Sequence, residues 1–243
     1  MIRKKIEIKN LTQRYGKKTA LKDVSLEIET GMFGLLGRNG AGKTTLMRTL
    51  VGLLPVNAGE IVLCGIPVSN IPEVRNMIGY LPQEFSLYPN MKVDEVLDYI
   101  GVLSNMPKTV RRERIDELLE KVNLQSDRLK KVKSLSGGMK RRLGMAQALL
   151  HDPEILIADE PTVGLDPEER VRLRNLLAAE AEDKIVILST HIVEDIEAVC
   201  KNTAILDEGR LVYDGTIDRL IGETNTTGIE DAYLKAIHSR EVF

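Results

Sequence analysis

The sequence predicts an α/β protein in which a mostly parallel sheet forms the core, with an antiparallel β region near the N-terminus and an inserted α-helical subdomain. Three observations predict this fold class. Short apolar runs alternate with helical patterns over most of the 243 residues, the first third starts with two-residue periodicity, and the middle of the chain changes to helical periodicity. Hydrophobic residues make up 43% of the chain, which is sufficient to bury a core of this kind.

The N-terminal region has the alternation expected of half-buried strands. Ile6 and Ile8, and later Leu26 and Ile28, are separated by polar residues, so each segment presents one apolar face. The run over residues 32–36 is instead continuously apolar and ends in a glycine cluster. We therefore expect an antiparallel β region followed by a fully buried strand.

Helical periodicity dominates the middle of the chain. From Asp94 to about Lys131, apolar residues recur at helical spacing with charges on the opposite face, which indicates an inserted helical subdomain. Three later apolar runs lie between helical segments, as buried parallel strands with crossover helices do. They cover residues 155–158, 185–188 and 203–206.

The C-terminal part is predicted to end in a short helix. The segment Thr224–Gly228, with the sequence TNTTG, is typical of a linker, and helical spacing resumes over Ile229–His238. The chain is therefore predicted to divide into three parts. These are a core over residues 1–84 and 154–223, a helical subdomain over residues 85–153, and a short C-terminal helix over residues 224–243.

Composition and charge exclude several classes of protein. The longest stretch without a charged residue, Ile61–Pro72, is far shorter than the roughly 20 residues of a membrane-spanning helix. Charges also interrupt the N-terminal segment where a secretory signal would be apolar. Cys64 and Cys200 are too few for a disulfide framework or a zinc site, which favours the cytoplasm. A net charge of -2 argues against a nucleic-acid partner.

A glycine-rich loop directly follows the apolar run that ends at Leu36. Residues 37–44 match the pattern GxxxxGK followed by Ser or Thr, and a helix-compatible segment comes next. Glycines let successive backbone N–H groups point at a phosphate, and the N-terminus of the following helix adds partial positive charge. Lys43 would reach the β- and γ-phosphates of a nucleotide, and the Thr44 hydroxyl would reach a Mg²⁺ ion. A glycine turn with a solvated lysine is the simpler alternative, and the strand and helix on either side argue against it. The candidate nucleotide-binding residues of this loop are Gly37, Arg38, Asn39, Gly40, Ala41, Gly42, Lys43, Thr44 and Thr45.

Two carboxylates close the apolar run over residues 155–158. A strand buried on both faces tolerates Asp159 and Glu160 at its end only if a cation lies there. Mg²⁺ with a bound nucleotide is the obvious candidate, with Asp159 holding the metal and Glu160 deprotonating the water that attacks the γ-phosphate. The alternative is that the pair starts a surface turn before Pro161. The phosphate-binding loop earlier in the chain argues against this alternative.

A third segment carries a serine followed by two glycines. Ser136 is placed to cap the long helical segment that follows, and with Gly137 and Gly138 it forms a candidate anion-binding nest; an ordinary helix cap is the alternative. The glycine loop, this Leu-Ser-Gly-Gly segment and the acidic strand end, in this order, resemble the ATP-binding cassette (ABC) ATPases over nearly the whole chain. The resemblance implies a P-loop NTPase (RecA-like) core that binds ATP and Mg²⁺. Met139 departs from the Gln that most members carry at that position.

The resemblance also implies roles for four further residues. Tyr15 falls where an aromatic ring stacks on adenine, and Gln83 falls where a glutamine touches the metal and the attacking water. Asp166 resembles the aspartate that crosses to the other subunit, and His191 resembles the histidine that bonds the γ-phosphate. Each has a simpler alternative, namely a surface strand residue, a loop glutamine, a helix cap and a histidine at a helix start.

A head-to-tail dimer is a further implication of the resemblance. In this family the glycine loop and the segment at Ser136 lie on different lobes and face apart within one chain. Two chains must therefore face each other, so that each site takes its phosphate loop from one chain and Ser136 from the other. The resemblance implies an ATP-dependent homodimer, or a pair with a paralogous cassette, around two ATP molecules.

Within the family, the chain most resembles the ATP-binding subunits of ABC-2 type exporters. The stretches GLLGRNGAGKTT and ADEPTVGLDP, the single cassette and the short C-terminal helix carry this resemblance. It implies an ATPase on the cytoplasmic face of the membrane that drives export through a separate integral membrane permease. The permease would dock after Gln83, where Phe85, Tyr88 and Tyr99 either contact it or pack inside the helical subdomain. A soluble ABC ATPase acting on DNA or ribosomes and a nucleotide-sensing module stay open as alternatives, although the second would be expected to lack Glu160.

Overall fold

The structure is a computed structural model that describes residues 4–238, in two β-sheets flanked by helices. Residues 1–3 and 239–243, which belong to the predicted core and the predicted C-terminal part, lie outside the described residues. The strands are β1 (Lys5–Tyr15), β2 (Lys18–Glu29), β3 (Gly31–Leu36), β4 (Ala58–Leu63), β5 (Ile66–Pro67), β6 (Ile78–Leu81), β7 (Ile155–Asp159), β8 (Ile185–Thr190), β9 (Asn202–Asp207) and β10 (Arg210–Thr216). The α-helices are α1 (Lys43–Leu50), α2 (Ile71–Met77), α3 (Val93–Leu103), α4 (Lys108–Lys121), α5 (Gly137–Leu149), α6 (Pro167–Glu180), α7 (Val193–Val199), α8 (Ile217–Thr224) and α9 (Ile229–His238).

The first sheet is the antiparallel β region that the alternating pattern predicts. Its strand order is β2-β1-β4-β5, and neighbouring strands run antiparallel. Ile6 pairs with Ile28 and Ile8 with Leu26, and each of these side chains is buried. One face of this sheet therefore packs on the core, which is why the pattern repeats every second residue.

The second sheet is the mostly parallel core, with the order β10-β9-β3-β8-β7-β6. From β9 to β6 each strand runs parallel to its neighbour, and β10 is antiparallel to β9 at the edge. Every residue of β7 and β8 is buried, which explains their continuous apolar runs. The predicted mixed α/β fold is confirmed.

The order of the parallel strands gathers the predicted site at one edge. β3, β8 and β7 are adjacent, and their carboxyl ends lead into the glycine loop, His191 and Glu160 respectively. In the register, Leu36 pairs with Thr190, and Asp159 pairs with Ser189. Ligands of open parallel sheets bind at this edge, where loops leave the carboxyl ends.

Three α-helices lie between β6 and β7, where the helical subdomain is predicted. α3 contacts α4 and α5, and the buried side chains of the three helices join the apolar cluster that also contains Leu156 and Leu188 of the parallel sheet. The helices therefore pack onto the core instead of forming a separate globule. The bounds 85 and 153 of this subdomain stay a prediction.

The C-terminal helices pack on the core as well. Thr224, which the TNTTG pattern assigns to a linker, is the last residue of α8, and its hydroxyl donates to the Leu220 carbonyl at 2.8 Å. The predicted helix Ile229–His238 is present as α9, and it buries Ile229 and Tyr233 in the core. Within residues 4–238, no helix is both long and apolar enough to cross a membrane.

Candidate functional site

A cavity of about 610 Å³ lies beside the glycine loop and Glu160. Its volume is within the range of small-molecule binding sites. Most of the predicted site residues line it. They are Tyr15, Arg38, Asn39, Gly40, Gly42, Lys43, Thr44, Thr45, Gln83 and Glu160.

The glycine loop needs its glycines for two different reasons. Gly40 and Gly42 have φ angles of +86° and +109°, which side-chain-bearing residues rarely adopt. A Cβ atom on Gly42 would also lie 2.8 Å from the Ala20 carbonyl oxygen. Gly42 is the N-cap of α1 and supplies no side-chain cap, so the first amides of this helix stay available to an anion.

Lys43 lies in the floor of the cavity with 5% of its side chain exposed. Its ammonium donates to the Gly37 carbonyl at 2.5 Å and lies 3.3 Å from Glu160 Oε1. Among the described residues, this buried carboxylate oxygen accepts no hydrogen bond. A buried ammonium and an unsatisfied carboxylate oxygen at one cavity wall fit a ligand that brings both anionic oxygens and a water molecule.

Asp159 is fully buried behind the loop, and hydroxyl groups hold both of its carboxylate oxygens. Thr44 Oγ1 donates to Oδ2 at 2.9 Å, and Ser189 Oγ donates to Oδ1 at 2.8 Å. Thr44 itself lines the cavity. A hydroxyl and a carboxylate at this spacing offer the oxygen donors that Mg²⁺ prefers.

Glu160 is held in a strained backbone conformation next to Asp159. Its φ angle is +49°, in the left-handed region, and its amide donates to the Ser189 carbonyl at 2.8 Å. The carboxylate is also held, because Oε2 lies 2.9 Å from His191 Nδ1 and 3.3 Å from the Thr190 hydroxyl. Such strain persists only where the surroundings fix the residue, and it occurs preferentially at functional sites.

The serine-glycine segment and Asp166 do not line this cavity. Ser136 caps α5 by accepting from the Met139 amide at 3.2 Å, and both Ser136 and Gly137 are exposed. Asp166 caps α6 by accepting from the Glu169 amide at 2.9 Å, and it is exposed too. Within one chain, the structure therefore leaves Ser136, Gly137, Gly138 and Asp166 at the starts of α5 and α6, outside the lining of the cavity that contains Lys43.

Five lining residues were not predicted from the sequence. They are Lys18, Thr19, Ala20, Glu208 and Gly209. The turn at Gly209 joins the β region to the glycine loop, because its amide donates to the Ala41 carbonyl at 3.0 Å and its carbonyl accepts from Lys22 at 2.8 Å. A Cβ atom on Gly209 would lie 2.5 Å from the Ala20 carbonyl oxygen. These residues carry no motif, and the Glu-Gly pair signals a turn without indicating its neighbours.

Comparison with known proteins identifies a family and several relatives. A family model described as ABC transporter matches residues 21–163. The Nod factor export ATP-binding protein I of Cupriavidus metallidurans is 38% identical in an alignment that covers 94% of this chain and 76% of that protein. The linearmycin resistance ATP-binding protein LnrL of Bacillus subtilis is 37% identical in an alignment that covers 96% of this chain and 79% of that protein.

The fold has solved counterparts as well. The structure of an ATP-binding subunit of an ABC transporter superposes with a TM-score of 0.87 at 27% sequence identity, over 96% of this chain and 99% of that chain. The match to the family model, the relatives and the arrangement of the glycine loop against Asp159 and Glu160 agree with one another. The chain therefore belongs to the ABC transporter family, as an ATP-binding and ATP-hydrolysing subunit.

Proposed function

We propose that this chain binds Mg²⁺-ATP beside the glycine loop and hydrolyses it with Glu160 as general base, as one half of a head-to-tail dimer that drives export through a membrane permease. The observation that carries the proposal is the position of the buried Glu160 carboxylate. It lies 3.3 Å from the Lys43 ammonium and 2.9 Å from His191 Nδ1. A carboxylate held between two such groups at a cavity wall is suited to accept a proton from water.

The phosphates of ATP would occupy the part of the cavity above α1. Lys43 would turn its ammonium from the Gly37 carbonyl, 2.5 Å away, toward the β- and γ-phosphates. The amides at the start of α1 would add their partial positive charge. At the mouth, the Tyr15 ring is 46% exposed and offers a face to adenine, a contact that contributes about 1 to 3 kcal/mol in nucleic-acid systems.

Thr44, Asp159 and Gln83 are the residues we assign to Mg²⁺. Thr44 and Gln83 line the same cavity, and Thr44 Oγ1 is 2.9 Å from Asp159 Oδ2. These groups supply the oxygen donors that the ion prefers. When bound, the ion neutralises charge that develops on the β- and γ-phosphate oxygens.

Glu160 and His191 would act together on the attacking water. Glu160 takes the proton, and the bond from His191 to Oε2 keeps the carboxylate turned toward the cavity. We assign the second ring nitrogen of His191 to the γ-phosphate. Because His191 would contact both Glu160 and the γ-phosphate, it would couple the orientation of the base to the presence of that phosphate.

A second copy of the chain would complete each site. Ser136 and Gly137 form an exposed helix N-terminus, and an anion-binding nest there remains incomplete without a phosphate brought by a partner. Asp166 is exposed at the start of α6 and would cross the same interface. The partner is this chain itself or a paralogous cassette.

A membrane permease is the second partner that we propose. The relative from Cupriavidus metallidurans is named an export ATP-binding protein, which supports export. We place the chain on the cytoplasmic face of the membrane. The aromatic rings of Tyr88 and Tyr99 meet edge to face at 5.2 Å and remain exposed, so we assign them to the docking surface. Phe85 is partly buried against the core instead.

Substitution of the proposed base tests this function. Glu160→Gln is expected to lower kcat by about 10²- to 10⁴-fold while leaving the dissociation constant of Mg²⁺-ATP within a few-fold of the parent. Lys43→Ala is expected to weaken ATP binding itself, because it removes the charge that faces the phosphates. Steady-state hydrolysis and equilibrium binding of ATP measure the two effects.

Glu154→Gln is the matched control for this experiment. Glu154 lies directly before β7, at the end of the strand opposite Glu160, and its carboxylate pairs with Lys4 at 3.5 Å. This control is expected to hydrolyse ATP at the parental rate. Comparable turnover in Glu160→Gln and Glu154→Gln would exclude Glu160 as the base.

A further inference from the structure

We propose that Arg141 is a positioning residue that fixes the backbone of Glu160 against the Gln83 segment, an inference that rests on the proposed role of Glu160 as base. Arg141 is on α5, one turn and a half after the exposed Ser136 cap. It is 8% exposed. Its guanidinium faces backbone carbonyl groups from two separate loops, and none of the roles assigned above uses it.

The first loop contacted by Arg141 contains the proposed base. Arg141 Nη2 donates to the carbonyl of Glu160, and Nε donates to the carbonyl of Pro161 at 2.9 Å. The amide of Glu160 is held from the opposite side by Ser189 of β8. The peptide groups on both sides of Glu160 are therefore fixed, one from the sheet and one from α5.

The second loop contains the glutamine assigned to the metal. Arg141 Nη1 donates to the carbonyl of Gln83 at 2.8 Å and to that of Pro82 at 3.3 Å. The Phe85 ring centroid lies 5.6 Å from the guanidinium carbon, within cation–π range. One side chain thus connects the segments that carry the proposed base and the proposed metal-contacting glutamine.

Only a guanidinium provides this set of contacts. It presents five N–H donors in a rigid planar fork, whereas the lysine ammonium is a point charge on a flexible stem. Burial lowers the pKa of Arg141, and the nearby Asp159 and Glu160 carboxylates act in the opposite direction. An arginine keeps its charge at physiological pH, so its N–H groups stay donors to these carbonyl groups.

The strained backbone makes the position of Glu160 depend on contacts such as those from Arg141. At a φ of +49°, a residue with a side chain relaxes unless its neighbours hold it. Misplacement of a catalytic group by about 1 Å costs about 10²-fold in rate. Because the guanidinium also holds the Gln83 carbonyl, any displacement of α5 or of the Gln83 segment would be transmitted to the base.

Removal of the guanidinium is therefore expected to lower kcat without changing ATP binding. Arg141→Ala should lose about 10²-fold in kcat while the KM and the dissociation constant for ATP stay within about threefold. Arg141→Lys should recover only a small part of this loss, because one ammonium cannot serve four carbonyl groups in two loops. Low concentrations of free guanidinium should restore part of the kcat of Arg141→Ala, and methylammonium should not.

Arg111→Ala is the matched control. Arg111 is 9% exposed on α4 and binds Asp98 at 2.6 Å and the Met106 carbonyl at 3.0 Å, all within the helical segment. Its loss should lower the melting temperature while kcat stays within about twofold and does not respond to guanidinium. This control separates a buried arginine that supports folding from one that positions the base.

A double variant decides whether Arg141 acts through Glu160. Adding Arg141→Ala to Glu160→Gln should reduce the residual rate by less than threefold, since the group that it positions is already absent. A folded Arg141→Ala protein with kcat within twofold of the parent would overturn the inference. The inference would also be overturned if Arg141→Ala lowered the rate of Glu160→Gln by as large a factor as it lowers the parental rate. If Glu160→Gln alone kept its turnover, the proposed function would fail instead.

Discussion

At the scale of single residues, three buried charges lie together at the candidate site. Lys43, Asp159 and Glu160 are 5%, 0% and 2% exposed. Burying such groups is costly unless each finds a partner, and here their partners are one another and the hydroxyl groups of Thr44 on α1 and Ser189 on β8. The buried charges of the candidate site therefore satisfy one another within one chain.

His151 gives a prediction about stability at the same scale. Burial lowers its pKa below the usual 6.5, so the folded state favours the neutral ring. The contribution of the neutral His151 ring to stability is complete at pH values above the pKa that His151 has in the unfolded chain. This contribution is lost as the pH falls from about 7 toward the lower pKa of His151 in the folded state. The free energy of unfolding should decrease over this range, and less steeply in His151→Gln.

Denaturant unfolding at pH 7.5, 6.5 and 5.5 measures this effect. Other groups also titrate over this interval, so the informative quantity is the difference between parent and variant. His238→Gln is the control, because His238 is exposed at the end of α9. Equal pH dependence in the parent and His151→Gln would show that burial of His151 does not disfavour its charged form.

Residues within motifs were predictable, and residues that act through the fold were not. Lys43 and Thr44 follow from the spacing of the glycine loop, and the structure places both at the cavity. Glu208 and Arg141 carry no signal of their own, because their neighbours come from strands and loops that are distant in sequence. The spacing of residues along the sequence does not indicate which carbonyl groups will accept hydrogen bonds from a guanidinium in the folded protein.

At the scale of secondary structure elements, close packing limits the substitutions that the core accepts. β6 passes so near α5 that a Cβ atom on Gly79 would overlap the backbone carbonyl of Ala148 and lie 2.9 Å from Pro153. Backbone atoms cannot move aside as a flexible side chain does. The effect of substituting Gly79 therefore reports how closely α5 packs on β6.

Gly79→Ala is expected to destabilise the protein by about 1 to 3 kcal/mol through overpacking. Gly222→Ala is the matched control, because a Cβ atom on Gly222 of α8 would lie within 4 Å of no described atom beyond its chain neighbours and the adjacent backbone of α8. It should be neutral or stabilising by up to about 1 kcal/mol through helix propensity. Thermal unfolding compares the two, and equal melting temperatures would contradict the close approach of β6 and α5.

Long or fully buried elements were predictable, and short ones were not. β3, β7, β8 and β9 have continuous apolar runs because both of their faces are covered. β5 has two residues and α7 has seven, too few for a period to be visible. Of the predicted linker, Thr224 is instead the last residue of α8, with its hydroxyl bonded to the Leu220 carbonyl, and residues 225–228 lie between α8 and α9.

At the scale of the whole molecule, the fold separates the residues of the candidate site into two groups. Strand adjacency places the glycine loop, Asp159 and His191 at one edge, while α5 carries Ser136 at an exposed helix start elsewhere. The fold class was predictable from the sequence, but strand order was not, because nothing in periodicity states which strands pair. The proposal that a second chain supplies Ser136 follows from this division of the site.

ATP bound between two chains should hold them together. A ligand stabilises the state that binds it by about 2.7 kcal/mol at a hundredfold excess over its dissociation constant. Hydrolysis would remove this effect, so the dimer should accumulate where Glu160 is replaced by Gln. Ser136→Arg should prevent dimerisation in that background, because it places bulk in the nest. Ser126→Arg, on an exposed turn, should not.

The most direct test of a site shared by two chains is sedimentation of Glu160→Gln at micromolar concentration with Mg²⁺-ATP, with ADP and without nucleotide. We predict a dimer with Mg²⁺-ATP and monomers in the other two samples, with the ATP-dependent dimer abolished by Ser136→Arg. A protein that binds ATP yet remains monomeric, with an ATPase rate per parental chain that stays constant on dilution, would contradict the shared site.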